Sequence, residues 1–220
     1  MKTKILSAFL KCAVVLGAAI GIPLSVIANE AAFMSGKSVF MFFTVQSNIL
    51  MALICMAGLI FMVTGKKPAP WWYVLKYVST VAITLTGIVF CFVLAPTLGS
   101  HAWNVQNILT HVVVPVAAIA DFYVSSAEAK ISRKAVFLVT IPPILYAIYA
   151  GIGFALNWQF APGYNYPYFF LNWGSPAGAF GFSKGLPFMG TGWWIVAILI
   201  FLLGIGYLYL YTLDKCKKKN

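Results

Sequence analysis

The sequence predicts an all-α integral membrane protein, a single bundle of six transmembrane helices with both chain ends in the cytoplasm. Hydrophobic residues make up 62% of the 220 residues and charged residues only 9%, whereas a soluble domain carries roughly a quarter charged residues. The apolar residues form six long runs, and most lysines and arginines lie between those runs. The formal net charge of +11 therefore indicates membrane topology, and we expect no nucleic acid among the partners.

Each run is about long enough to cross a bilayer. They form one domain over 1–220, with spans at about 12–28, 39–63, 71–95, 105–124, 135–156 and 191–213. Pro96 is expected to end the third span, because proline cannot continue the hydrogen bonding of a helix. Val26-Ile27-Ala28 also fits a signal-peptide cleavage site, but Lys11 interrupts that pattern and favours an uncleaved first span.

The basic residues predict the orientation of the bundle. If the N-terminus is inside, the outer side receives only Lys37 and Lys184, and every other lysine and arginine lies on the cytoplasmic side. Asp121 and Glu128 are then expected near the inner surface, in ion pairs with the neighbouring residues Lys130, Arg133 and Lys134.

The connection 157–190 is too long to be a simple turn, and this topology places it outside. It is rich in Tyr, Trp and Phe, residues that are typical of an aromatic belt at the lipid headgroups. The alternative is a lid over a pocket that lipids can enter. On that interpretation the candidate substrate-binding residues are Tyr166, Tyr168 and Asn172.

Two spans carry polar groups, which are costly in a membrane. Thr44 on the second span and His111 on the fourth lie ~8 Å and ~9 Å below the outer ends of their helices, at nearly the same level. Helical spacing places Ser47 and Asn48 on the face of Thr44, and places Asn104 and Asn107 on the face of His111. Pro115 cannot donate to the His111 carbonyl, so a kink or a free carbonyl is expected there.

A hydroxyl beside an imidazole is the minimum for nucleophilic acyl transfer. Asp121 lies ~15 Å deeper than His111 and cannot touch its ring, so an asparagine or a backbone carbonyl would have to orient the imidazole. The candidate pocket residues are Gln46, Ser47, Asn48 and Asn107. Simple packing contacts, or a path for a small solute, are the alternatives that the residues alone leave open.

The cysteines Cys12, Cys55, Cys91 and Cys216 show no ligand spacing, so we expect no metal and no cofactor. Three stretches carry a resemblance to a known family: residues 42–50 (FFTVQSNIL), residues 111–115 (HVVVP) with Asp121, and residues 166–172 (YPYFFLN). They resemble signatures of the androgen-induced membrane protein family and its bacterial six-span relatives. The third stretch departs from the pattern at Asn172-Trp173, where relatives often carry an acidic residue.

The animal members of that family are threonine hydrolases that cleave fatty-acid esters of hydroxy fatty acids. The resemblance therefore implies that Thr44 is the nucleophile and His111 the general base of a hydrolase acting on a lipid substrate from the bilayer. It also implies a location in a bacterial plasma membrane. The natural ester and the oligomeric state stay open.

Overall fold

The fold is an all-α bundle of six helices. The computed structural model describes residues 2–28, 36–126 and 129–217, and six of its helices are long and apolar enough to cross a membrane. They are α1 (Lys2–Val26), α2 (Phe43–Thr64), α3 (Pro70–Leu98), α4 (Val105–Ser125), α5 (Arg133–Ala155) and α6 (Thr191–Lys217). The prediction of a six-span all-α membrane protein is confirmed.

The two ends of the bundle differ. The start of α1 and the end of α6 lie at one end, which we call the terminal end. The connection 157–190 covers the opposite end, which we call the loop end. Short 3₁₀ helices at Gly36–Met41, Gly99–Ala102 and Phe169–Leu171 also lie there. The initial turns of α5, Arg133–Thr140, are 3₁₀-helical and pack on α6.

Three predicted helix boundaries are wrong. α2 begins at Phe43 rather than at residue 39, because Gly36–Met41 forms a separate 3₁₀ helix. α1 begins at Lys2 rather than near residue 12, because Lys11 is buried inside the bundle and does not mark a membrane surface. α3 continues past Pro96 to Leu98, through a π-helical turn at Phe90–Leu94. In that turn the Ala95 N–H donates to the Phe90 carbonyl, five residues back, so the helix continues through the proline.

Asp121 lies in a buried ion cluster, not at the surface among Lys130, Arg133 and Lys134 as predicted. Its two oxygens are 2.6 Å from Lys11 Nζ and 2.5 Å from Lys76 Nζ, and none of the three side chains is more than 2% exposed. The prediction failed because it took both lysines for surface residues. Glu128, the other acidic residue in that prediction, lies outside the described residues.

Neighbouring groups complete this ion cluster. Ser7 Oγ donates to the carboxylate at 2.7 Å, and Lys76 also donates to the Ser125 hydroxyl. Gly58 makes room for the Lys11 stem, since a Cβ at Gly58 would lie 2.5 Å from Lys11 Cε. The cluster therefore ties α1, α3 and α4 together, in the half of the bundle nearer the terminal end.

The aromatic residues of the connection 157–190 are partly inside the protein. Phe160, Tyr168 and Phe170 are buried, and they pack with Phe42 of the approach to α2 and Tyr146 of α5. A belt at the headgroups is therefore the wrong description of these three rings. They form a packed cap on the loop end of the bundle, directly above the start of α2.

Candidate active site

A cavity of about 980 Å³ lies at the loop end, between α3, α4 and the connection 157–190. Thr44 and His111 both line it. Most of the other polar lining residues belong to α4 and the connection, and they include Asn104, Asn107, Tyr166 and Tyr168. The structure thus brings the two residues of the predicted pair to one cavity, together with the predicted polar face of α4.

Thr44 is the second residue of α2, in the first turn of the helix. The N–H groups of a first turn have no partner within the helix and form its positive end. The Thr44 N–H donates to the Tyr168 hydroxyl oxygen at 3.4 Å, and the same hydroxyl lies 3.4 Å from Thr44 Oγ1. Burial raises the pKa of Tyr168, which keeps its hydroxyl protonated and able to donate.

The ring of Tyr168 is held in place by its neighbours. It stacks on Phe170 with ring centroids 5.1 Å apart and planes inclined by 6°, and it meets the edge of Phe42 at 5.7 Å. The hydroxyl is therefore carried on a rigid aromatic support above Thr44. Sequence spacing could not reveal this contact, because the two residues are 124 positions apart.

The hydrogen bonds of His111 define its tautomer. Nδ1 lies 3.1 Å from the carbonyl oxygen of Asn107 and 3.0 Å from the hydroxyl of Thr110. The carbonyl can only accept, and the Thr110 hydroxyl donates its own proton to the Gln106 carbonyl at 2.8 Å. Nδ1 therefore carries the hydrogen, and Nε2 keeps the lone pair that a general base needs.

His111 belongs to a π-helical turn, Leu109–Val113. The Val114 N–H donates to the Leu109 carbonyl, so the local irregularity expected before Pro115 is present. π-Helical turns occur often at functional sites. The second π-helical turn, in α3, supplies Phe90, whose ring stacks on the imidazole at a centroid distance of 3.9 Å and an angle of 23°.

Glycine allows α3 to approach this part of α4. A Cβ built on Gly87 would lie 2.9 Å from the His111 carbonyl oxygen and 3.2 Å from Pro115 Cβ. A larger residue at position 87 would therefore push α4 away. The close approach helps to set the position of the imidazole.

Asn48 joins the two helices that carry the pair. Its amide nitrogen donates to the Thr44 carbonyl at 2.8 Å and to the Thr110 carbonyl at 3.0 Å. Thr44 and the turn that carries His111 therefore lie side by side, although Thr44 is in the first turn of its helix rather than at the greater depth predicted. Ser47 Oγ donates to the Thr44 carbonyl at 3.0 Å and bonds Thr86 Oγ1 at 2.9 Å. Both residues are buried behind Thr44 and support its backbone; neither lines the cavity.

Two predicted site residues lie elsewhere. Gln46 is on the exposed side of α2, where its amide donates to the Phe40 carbonyl at 3.1 Å. Asn172 accepts from the Gly174 N–H at 3.0 Å and so stabilises a local turn. Helical spacing excludes Gln46 because a residue two positions from Thr44 faces another side. Of the three predicted lid residues, only Tyr166 and Tyr168 line the cavity.

No protein-family model, curated protein or solved structure matches this chain. Across the described ranges, no three His, Cys, Asp or Glu side chains are placed to hold a metal ion. No hydrogen bond among the described residues joins Thr44 to His111 directly, so a proton would pass between them through a bound water or after a side-chain rotation.

A second, narrower space adjoins Thr44. Apolar side chains from α3, α5 and α6 line this slot, among them Leu85, Val89, Ala147, Ile195 and Ile198. Thr44, Leu94 and Tyr168 line both the slot and the cavity, whereas His111 lines only the cavity. Thr44 thus lies between the polar cavity and the apolar slot.

Proposed function

We propose that this chain is a membrane-embedded hydrolase of lipid esters. The observation that carries the proposal is the presence on one cavity of Thr44 and of His111, whose Nδ1 is held by the Asn107 carbonyl. The resemblance to the androgen-induced membrane protein family supports it, and extends it to fatty-acid esters of hydroxy fatty acids. The substrate would come from the bilayer.

The reaction begins with the Thr44 hydroxyl. Oγ1 attacks the ester carbonyl carbon and its proton passes to His111 Nε2. The bond from carbon to the alcohol oxygen then breaks, and the imidazolium returns the proton to the departing alkoxide. In the second half of the reaction His111 takes a proton from a water in the cavity, and the water oxygen attacks the acyl carbon. The bond from that carbon to Thr44 Oγ1 then breaks, and the imidazolium returns the proton to Oγ1 as the fatty acid leaves. The Asn107 carbonyl holds the imidazole through both steps.

Charge on the tetrahedral oxygen needs hydrogen-bond donors. The Tyr168 hydroxyl lies beside the nucleophile, where its oxygen accepts from the Thr44 N–H at the positive end of α2. Preorganised donors of this kind supply a large part of the rate in acyl transfer. Tyr168 is thus the proposed oxyanion donor from outside the membrane spans.

The test is labelling with a fluorophosphonate, in which the nucleophile displaces fluoride and becomes phosphonylated. Wild type should be labelled, and Thr44→Ala and His111→Ala should not be. Thr64→Ala is the matched control, because its hydroxyl bonds the Ile60 carbonyl at the other end of the same helix. Equal labelling of all four proteins, or an unlabelled but folded wild type, would refute the proposal.

The same variants separate the alternatives. Solute flux through proteoliposomes that survives Thr44→Ala would favour a transporter or channel. A loss of thermal stability without any change in labelling or flux would favour a non-catalytic scaffold. Labelling, flux and thermal stability are separate measurements, so together they distinguish the three functions.

We also propose that the loop end faces away from the cytoplasm, in a bacterial plasma membrane. The excess of lysine and arginine near the terminal end supports this orientation. Cys216, near the end of α6, is exposed. In a variant that keeps only this cysteine, an impermeant maleimide should label permeabilised cells and leave intact cells unlabelled. Labelling of intact cells would reverse the orientation.

A further inference from the structure

The slot beside Thr44 reaches the lipid-facing side of the bundle. On α2 and α3 its wall includes the buried residues Thr44, Leu85 and Thr86. On α5 and α6 every lining residue except Tyr146 is half-buried, among them Ala147 and Ile198. The slot therefore opens toward the bilayer between α5 and α6, whereas the cavity lies beneath the loop end.

The slot and the cavity differ in what they can hold. The slot is narrow and almost entirely apolar, so it suits an extended hydrocarbon chain. A polar group in the slot would lose its hydrogen bonds to water without replacing them, which is unfavourable. The cavity is large and carries amide and phenol groups from Asn104, Asn107 and Tyr166. It suits a bulky polar group with bound water.

The position of His111 decides which half of an ester goes where. The imidazole must protonate the departing alkoxide and later activate the water, so the alcohol half and the water must lie on its side of Thr44. His111 lines the cavity and is not among the residues of the slot. The acyl half is left with the opposite side of Thr44, which is the slot.

Resting on the proposed hydrolase function, we propose that the slot is a lateral portal for the acyl chain and that the cavity holds the alcohol half. The substrate class is an ester between an unbranched fatty acid and a bulky polar alcohol. A long acyl chain extends through the portal into the bilayer, so the site accepts long acyl chains. The narrow walls exclude an acyl chain that is branched next to the carbonyl. Short acyl groups need no portal.

Ala147 tests the portal because it is the small residue on the α5 wall. Ala147→Phe fills the opening, and Ile148→Phe is the matched control, since Ile148 is 55% exposed on the lipid-facing side of the same helix. In nanodiscs, Ala147→Phe should lower kcat/KM for p-nitrophenyl palmitate about tenfold or more. In Ile148→Phe the values for p-nitrophenyl palmitate and p-nitrophenyl butyrate should both stay within about twofold of wild type. Ala147→Phe should lower the ratio of the palmitate value to the butyrate value, and its remaining butyrate hydrolysis shows that it is folded.

Equal effects of Ala147→Phe on the two esters, or no effect on palmitate, would overturn the portal. A second measurement does not depend on hydrolysis: palmitic acid with a diazirine near its carboxyl group is cross-linked to each protein and the labelled peptides are mapped. Labels on α5 and α6 that disappear in Ala147→Phe and persist in Ile148→Phe support the portal. Labels confined to residues that line only the cavity, such as Asn107 and Tyr166, overturn it. Slot labelling without Thr44-dependent hydrolysis would reject the hydrolase and retain the chain site.

Discussion

Removing the carboxylate of the buried ion cluster should destabilise the protein strongly. In Asp121→Asn, Lys11 and Lys76 lose the anion that now lies 2.6 Å and 2.5 Å from their nitrogens, in a site where neither lysine is more than 2% exposed. Breaking a buried ion pair by removing one partner costs about 3–5 kcal/mol, and here a single change leaves two cations without it. For a chain of this size, that loss corresponds to a fall in Tm of roughly 10 °C.

The assay is intrinsic tryptophan fluorescence during heating in detergent, since the chain has 7 tryptophans. Asp214→Asn is the control, because the Arg133–Asp214 pair is 3.9 Å apart with side chains 75% and 44% exposed and should contribute little. Replacing Lys11, Asp121 and Lys76 together by Met, Leu and Met should recover most of the lost stability, since no unpaired charge remains. A melting temperature of Asp121→Asn equal to that of Asp214→Asn would refute the reasoning.

Two further variants test the site. Tyr168→Phe should lower kcat for a lipid ester by roughly 10²-fold with little change in KM. The proposed oxyanion donor is lost, while the ring still lines the cavity. An unchanged kcat in steady-state assays would remove Tyr168 from the mechanism. Gly87→Val should lower the Tm and the rate of fluorophosphonate labelling, because the added atoms meet the His111 carbonyl and Pro115, at a cost of about 1–3 kcal/mol. Gly204→Ala, where a Cβ has no neighbour within 4 Å, is its control; equal behaviour of the two glycine variants would contradict the packing argument.

The approach of Thr44 to the turn that carries His111 could be predicted only in part. The sequence placed Thr44 well inside its helix, whereas α2 begins at Phe43 after a separate 3₁₀ helix, and Asn48 of the same helix links Thr44 to α4. Helical spacing predicted that Ser47 and Asn48 share the buried face of Thr44. Gln46 belongs to the same polar run, but polarity alone does not indicate which side of the helix a residue faces. Its position two residues from Thr44 turns it to the exposed side of the helix.

Composition and the spacing of apolar runs determined the class of protein, since a chain with this little charge and this much apolar surface is stable only in lipid. Tertiary structure alone decided the partners of each polar side chain. Lys11 and Lys76 look like surface signals in the sequence, and they are buried because three helices converge on Asp121. The connection 157–190 folds over the loop end of the bundle. For this reason Tyr168 contacts Thr44 and helps to form the apolar slot. Helical periodicity describes neighbours within a few turns; contacts between segments far apart in the chain depend on how the helices pack.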